Sequence, residues 1–261
     1  MNKKEKFDIL VAFIKDRYGK QETFLHYNKD YELLIAIILS AQAKDDVVNK
    51  VTKILFEKYN SLEELKNASY DDVFEIMKYV GLGKNKTNFV IKTAQILVDK
   101  YHGVIPLDRK ELMTLPGVGS KVAGVFLGEI YNYPYLPVDT HIQRIAKRLE
   151  FVKKDDTPDE IEKKLLKLLD KNENSMDIHR NLISFGREIC LSGRSRNCYM
   201  CPLEKICKNK QLSTSKKSNV KSWINCREKI YSWVDFLFDF NCVSIQEFNG
   251  ESCSFFFNSN L

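Results

Sequence analysis

Seven consecutive apolar residues, Leu33-Leu34-Ile35-Ala36-Ile37-Ile38-Leu39, leave no polar face at helical spacing. A helix apolar all round must be enclosed by other elements, so the chain has to wrap this segment. What surrounds it is also helical. Phe7, Leu10, Val11 and Ile14 share one helix face, and Asp45 to Tyr59 carries Val47, Val48, Val51, Ile54, Leu55 and Tyr59 at spacings of three and four. Ser61-Leu62-Glu63-Glu64 has the form of an N-cap with an acid three residues later. Further helical runs cover 85–100, 110–115, 120–131, 141–149, 158–169 and 179–189, with Gly81, Gly83, Gly103, Pro106, Pro116, Gly117, Pro134 and Pro137 between them. Strand-like alternation is absent before residue 212. The body is expected to be all-α.

The last fifty residues are composed differently. They hold both tryptophans, Trp223 and Trp233, and five bases against five acids, so the formal net charge of +6 belongs wholly to the body. Val220, Trp223, Ile224, Ile230, Tyr231, Val234, Leu237 and Phe238 form an apolar helical stripe. Beyond it, two β-prone runs flank Asn249-Gly250, a hairpin signal. This extension is expected to be a helix and a β-hairpin, docked through Trp223, Ile230 and Val234.

No apolar run approaches the ~20 residues of a membrane span. The basic start, Met1 to Lys6, leads into a stretch interrupted by Asp8 with no small-residue cleavage site, unlike a signal peptide. The expectation is a cytoplasmic protein with reduced thiols and no membrane partner. A modest positive charge suits a polyanion without requiring one.

Three segments carry chemistry. Leu115-Pro116-Gly117-Val118-Gly119-Ser120-Lys121 lies between two helical runs. Gly117 and Gly119 allow a tight hairpin, and the free N–H groups of a helix starting near Ser120 can cradle a phosphate. A plain helix-to-helix turn capped by Ser120 is the alternative. Lys121 in that first turn has its charged form disfavoured by the helix dipole, and burial would favour the neutral amine further. That prepares a Schiff-base lysine, although a solvated lysine against phosphate fits the same position. Pro137-Val138-Asp139-Thr140-His141 precedes another helix. Asp139 or Thr140 can cap it, with Gln143 completing a capping box, and the Asp139 carboxylate near Lys121 could take a proton or balance a cation. Third, Cys190-x7-Cys198-x2-Cys201-x5-Cys207 can hold a [4Fe–4S] cluster or a zinc ion. Arg187, Arg194 and Arg196 add positive charge around that loop.

Taken together, these segments resemble the endonuclease III family of DNA glycosylases, the iron–sulfur branch of the helix–hairpin–helix superfamily. The likeness runs from Lys3 to Lys208, about four fifths of the chain. Leu33 to Ala43 is similar to the family's central-helix signature, and Val80-Gly81-Leu82 to its duplex-wedging loop. His179-x3-Ile183-x2-Gly186-Arg187-x2-Cys190 leads into the cysteines as the family pattern does. The resemblance implies a two-lobed fold: a six-helix barrel over 22–135, a discontinuous cluster domain of 1–21 and 136–211, and the 212–261 extension outside the pattern. It further implies a [4Fe–4S] cluster on Cys190, Cys198, Cys201 and Cys207. The partner would be double-stranded DNA with damaged bases or abasic sites, bound by a monomer that associates with the nucleoid through DNA.

By the same resemblance Lys121 attacks C1′ of a flipped nucleotide, Asp139 assists, and β-elimination follows. Gln42 and Leu82 would fill the vacated space. Gly117, Gly119, Ser120, His141, Arg187, Arg194 and Arg196 would contact the DNA. Adenine-removing relatives lack the lysine and carry an acid in the helix matched by 33–41, which has none here, so oxidised pyrimidines are the implied substrates. The sequence departs from the pattern in a first cysteine gap of seven rather than six, and at Ser120, which stands for a basic residue. Val122, Gly124 and Lys44 differ as well. A glycosylase without lyase activity and a zinc-bearing DNA-binding module are the competing readings.

Overall fold

Helix α2 (Asp30–Ser40) contains the apolar run, and all seven of its residues are buried at 2% exposure or less. The computed structural model describes residues 1–193 and 196–210; the expected tail helix and hairpin, and Arg194, lie outside them. The chain divides into units Met1–Ser213 and Thr214–Leu261, and every described residue belongs to the first. Among the described residues the regular structure is entirely helical. None of these helices is long and apolar enough to cross a membrane.

Two hydrophobic cores form. Around α2 pack α3 (Asp45–Lys58), α4 (Leu62–Lys66), α5 (Tyr70–Met77), α6 (Gly83–Asp99), α7 (Arg109–Leu112) and α8 (Ser120–Tyr131), burying Val48, Leu55, Val73, Val90, Leu112 and Phe126 among others. The second core joins α1 (Lys3–Tyr18) to α9 (Thr140–Arg148), α10 (Pro158–Leu168) and α11 (Ser175–Glu188) through Phe7, Leu10, Ile142, Ile161, Leu182 and Phe185. The periodicity of the sequence does not single out α5. It has two turns and buries only Val73 and Met77, too short for a helical repeat to stand out.

Helix α11 ties the cores together. Its Met176 belongs to the α2 core and lies against Gly128 of α8, where an added Cβ would come within 2.4 Å of the Met176 sulfur. Three ion pairs cross between the cores: Arg109 to Glu162 at 2.7 Å, Arg180 to Glu129, and Arg187 to Asp45 at 2.8 Å. Arg180 and Glu129 are both nine-tenths buried. Separating such a pair leaves an uncompensated charge, so it holds orientation more than it adds net stability.

Candidate active site

Lys121 sits in the first turn of α8, whose N-cap is Gly119. Gly117 has a left-handed backbone (φ 78°), and a Cβ there would strike the Phe89 ring at 2.8 Å and Ile38 at 3.0 Å. Glycine is therefore required at 117 by sterics. Gly119 differs, since nothing lies within 4 Å of where its Cβ would be. The open approach to the α8 N-terminus suits an anionic group meeting free backbone N–H donors. Ser120 is the first helical residue rather than the cap. Its hydroxyl donates to Asp159 at 2.6 Å and accepts from Arg109 at 2.9 Å.

Asp139 caps α9, its Oδ1 accepting the Ile142 N–H at 2.8 Å. With Asp139 as the cap the third helical residue is Ile142, so Gln143 does not complete a capping box. The neighbouring Pro137 is gripped from two sides. Gly124 of α8 lies against its ring, a Cβ there reaching Pro137 Cγ at 3.1 Å. From α11, buried His179 places Nδ1 2.8 Å from the Pro137 carbonyl. Because a carbonyl only accepts, Nδ1 carries the proton. Burial pushes the His179 imidazole down to about 4, with the Asp139 charge opposing and the Lys121 charge assisting. The ring is neutral at pH 7.

These contacts bring the Asp139 segment to the start of α8. Burial pushes the Lys121 amine below the ordinary lysine range; the charges of Asp139 and Asp45 oppose the shift and Arg187 reinforces it. Among the described residues no hydrogen-bond or ion-pair partner holds the amine. His141 is the second residue of α9, where Arg144 donates to its Nδ1 at 3.0 Å. Burial lowers the His141 imidazole as well.

Arg187 is exposed, paired with Asp45 and lying over the Phe24 ring at 5.0 Å. Gln42 and Leu82 are exposed and left-handed, at φ 55° and 63°. Their loops touch, a Cβ on Gly81 coming within 3.0 Å of the Gln42 carbonyl oxygen.

The four cysteines line one cavity with Arg148 and Arg196. The other three thiols are near enough to help burial push Cys201 up to about 12. No group of three His, Cys, Asp or Glu side chains among the described residues is gathered tightly enough to hold a single metal ion. Four soft thiols placed around a space fit the corners of an iron–sulfur cluster. The seven-residue gap is pinched shut at Asn197, whose backbone N–H donates to the Ile189 carbonyl at 3.1 Å and whose amide donates to the Glu188 carbonyl at 2.8 Å. Arg196 bonds within the loop, to the carbonyls of Gly193 and Asn209.

The sequence patterns pass over two residues here. Arg144 donates to the Cys190 and Gly186 carbonyls at 3.0 and 2.9 Å. Arg148, one turn on, donates to the Cys190 sulfur at 3.5 Å and the Leu191 carbonyl at 2.5 Å. Their i,i+4 spacing on the helix that Asp139 caps was the available signal. One short helix thus carries the carboxylate at its start and the support of the cysteine loop at its end.

Residues 35–171 match the family described as HhH-GPD superfamily base excision DNA repair protein. Endonuclease III of Bacillus subtilis (strain 168) is 38% identical over 208 residues, covering 80% of this chain and 94% of that protein. Endonuclease III of Escherichia coli (strain K12) is 36% identical over 211 residues, covering 81% and 98%. A solved structure described as a trapped endonuclease III–DNA covalent intermediate superposes with a TM-score of 0.75, at 38% identity, over 80% of this chain and 97% of that one. The chain belongs to the HhH-GPD superfamily and, within it, to the endonuclease III family. It is a DNA N-glycosylase and abasic-site lyase of base excision repair.

The observed cap and the carboxylate chemistry expected of Asp139 separate by substitution. Asparagine still caps a helix, so Asp139→Asn is expected to unfold in urea within a few tenths of a kcal/mol of the parent, whereas Asp139→Ala loses about 1 kcal/mol. Both are expected to slow base release by roughly a hundredfold or more, since both lack the carboxylate.

Proposed function

We propose that this enzyme removes oxidised pyrimidines from duplex DNA and nicks the abasic site through a Schiff base on Lys121. The observation that carries the reading is the partly buried, unpartnered Lys121 amine beside the capping carboxylate Asp139. The damaged nucleotide swings out of the stack, and the Lys121 Nζ lone pair forms a bond to C1′ as the C1′–base bond breaks. Asp139 balances the positive charge developing on the sugar. The ring-opened sugar becomes a protonated imine with Lys121, which acidifies C2′–H. Loss of that proton expels the 3′ phosphate, and water then releases the lysine. A relative of 38% identity caught as a covalent intermediate with DNA supports such a path.

The phosphates flanking the flipped nucleotide would meet the backbone N–H groups at Gly117 to Ser120, with His141 and Arg187 near the same nucleotide. The preference for pyrimidines rests on α2, whose acids lie only in its first turn. Of these, Glu32 accepts the Asn28 and Lys29 N–H groups and is committed to capping. Residues 22–135 are assigned to a barrel domain, and 1–21 with 136–211 to a cluster domain. The protein would act as a monomer.

Cys190, Cys198, Cys201 and Cys207 would hold a [4Fe–4S] cluster, which when bound supplies four metal–sulfur links that cross-brace the loop after α11. Arg148 would then stabilise the Cys190 thiolate.

Borohydride reduction on abasic duplex DNA is expected to yield a covalent enzyme–DNA adduct that Lys121→Gln abolishes. Base release without any adduct would point to a glycosylase lacking lyase chemistry. For the cluster, the purified protein should absorb visible light and lose that band in Cys198→Ser. A colourless protein carrying zinc would overturn the assignment.

A further inference from the structure

Lys86 is only 2% exposed, although it lies one turn into α6 with no carboxylate bonded to its ammonium. Burying an ammonium is costly unless its hydrogens are bonded. The acceptors it finds are both main-chain: the carbonyls of Leu39 at 2.9 Å and Ala41 at 2.5 Å, at the end of α2. Burial pushes this amine below the ordinary lysine range. The Lys86 backbone N–H makes the ordinary first-turn bond of α6 to the Leu82 carbonyl at 3.1 Å, so the side chain joins the turn that follows Leu82 to the end of α2.

We propose that Lys86 is a positioning residue that clamps the Gln42 and Leu82 loops together, setting the spacing of the two side chains that enter the duplex. The inference rests on the reading above that Gln42 and Leu82 occupy the gap left by the flipped nucleotide.

The local backbone shows why a clamp is needed. Gln42 and Leu82 both hold left-handed conformations that side chains other than glycine disfavour. Helix α2 ends at Ala41 without a left-handed glycine to satisfy its last carbonyls, and Leu82 starts α6 without a side-chain cap. A lysine near the start of α6 opposes that helix's own dipole, but at the end of α2 it meets the favourable pole. Lys86 therefore does for α2 what a C-cap would, and links it to the loop that must sit beside it. Gly81 completes the arrangement, since the Gln42 carbonyl oxygen leaves little room for a Cβ there.

The test compares duplex DNA carrying a paired oxidised pyrimidine with a single-stranded abasic oligonucleotide, which needs no nucleotide extrusion. Lys86→Met keeps the length and apolar stem but removes the donor. It is expected to lose roughly ten- to hundredfold in single-turnover base release from the duplex, while adduct formation on the single strand stays within about twofold. Gly81→Ala, which crowds the same pair of loops without touching the core, should lose activity in the same duplex-selective way. If Lys86→Met fails to fold, Lys86→Gln takes its place. A merely structural lysine would lower both activities together, or neither, and either result overturns the proposal. Leu82→Ala and Gln42→Ala run alongside. If they are duplex-selective and the Lys86 variant is not, the clamp alone is wrong. If they are not duplex-selective, the reading of the wedge falls and the clamp with it.

Discussion

Pro137 lies between the α8 backbone at Gly124 and the imidazole of His179 on α11, and Asp139 takes its place from those two contacts. A Cβ at 124 would press on the proline ring at 3.1 Å, so the segment would have to give by a few tenths of an ångström. Loss of the His179 donor would free the carbonyl that fixes the extended segment. Because Lys121 lies in the first turn of α8 and α9 begins just after Asp139, this packing sets how near the amine and the carboxylate lie. The proposed chemistry is thus positioned by two helix starts and one proline, all backed by buried apolar surface.

The same logic extends to the join between the two cores. Glu162 accepts both the Arg109 guanidinium and the Leu136 N–H, so one buried carboxylate steadies the hairpin side and the segment leading to Pro137. Arg109 in turn holds Ser120 and lies over the Tyr135 ring at 4.4 Å. Among the described residues the buried Nε atoms of Arg109 and Arg180 have no hydrogen-bond partner, a cost accepted where these guanidinia cross between cores. Polar groups here trade stability for a fixed orientation.

Local patterns made much of this legible. The apolar run gave α2 with no ambiguity, and the glycines at 117 and 119 marked the turn before Lys121. Asp139 was readable as a cap because an N-cap is written in one residue and its neighbours. The choice between Asp139 and Thr140 needed the actual helix start, and choosing Asp139 removed Gln143 from the box. The buried contacts of Lys86, Arg144, Arg148 and His179 were not legible for a different reason. In sequence each is an ordinary polar residue on a helix, and only the packing of distant elements buries it against a carbonyl. Arg196 resembles a surface base until the loop's own carbonyls are seen to bind it.

Burial lowers the Lys121 amine while the Asp139 charge restrains how far its basicity falls, the balance that the proposed nucleophile needs. A direct titration by NMR of 13C-labelled lysine, with Lys121→Gln assigning the resonance, tests it. The expected midpoint lies below the ordinary 10.5 and falls further in Asp139→Asn, where the charge favouring the ammonium is gone. A midpoint at or above 10.5, or one that rises in Asp139→Asn, would contradict it.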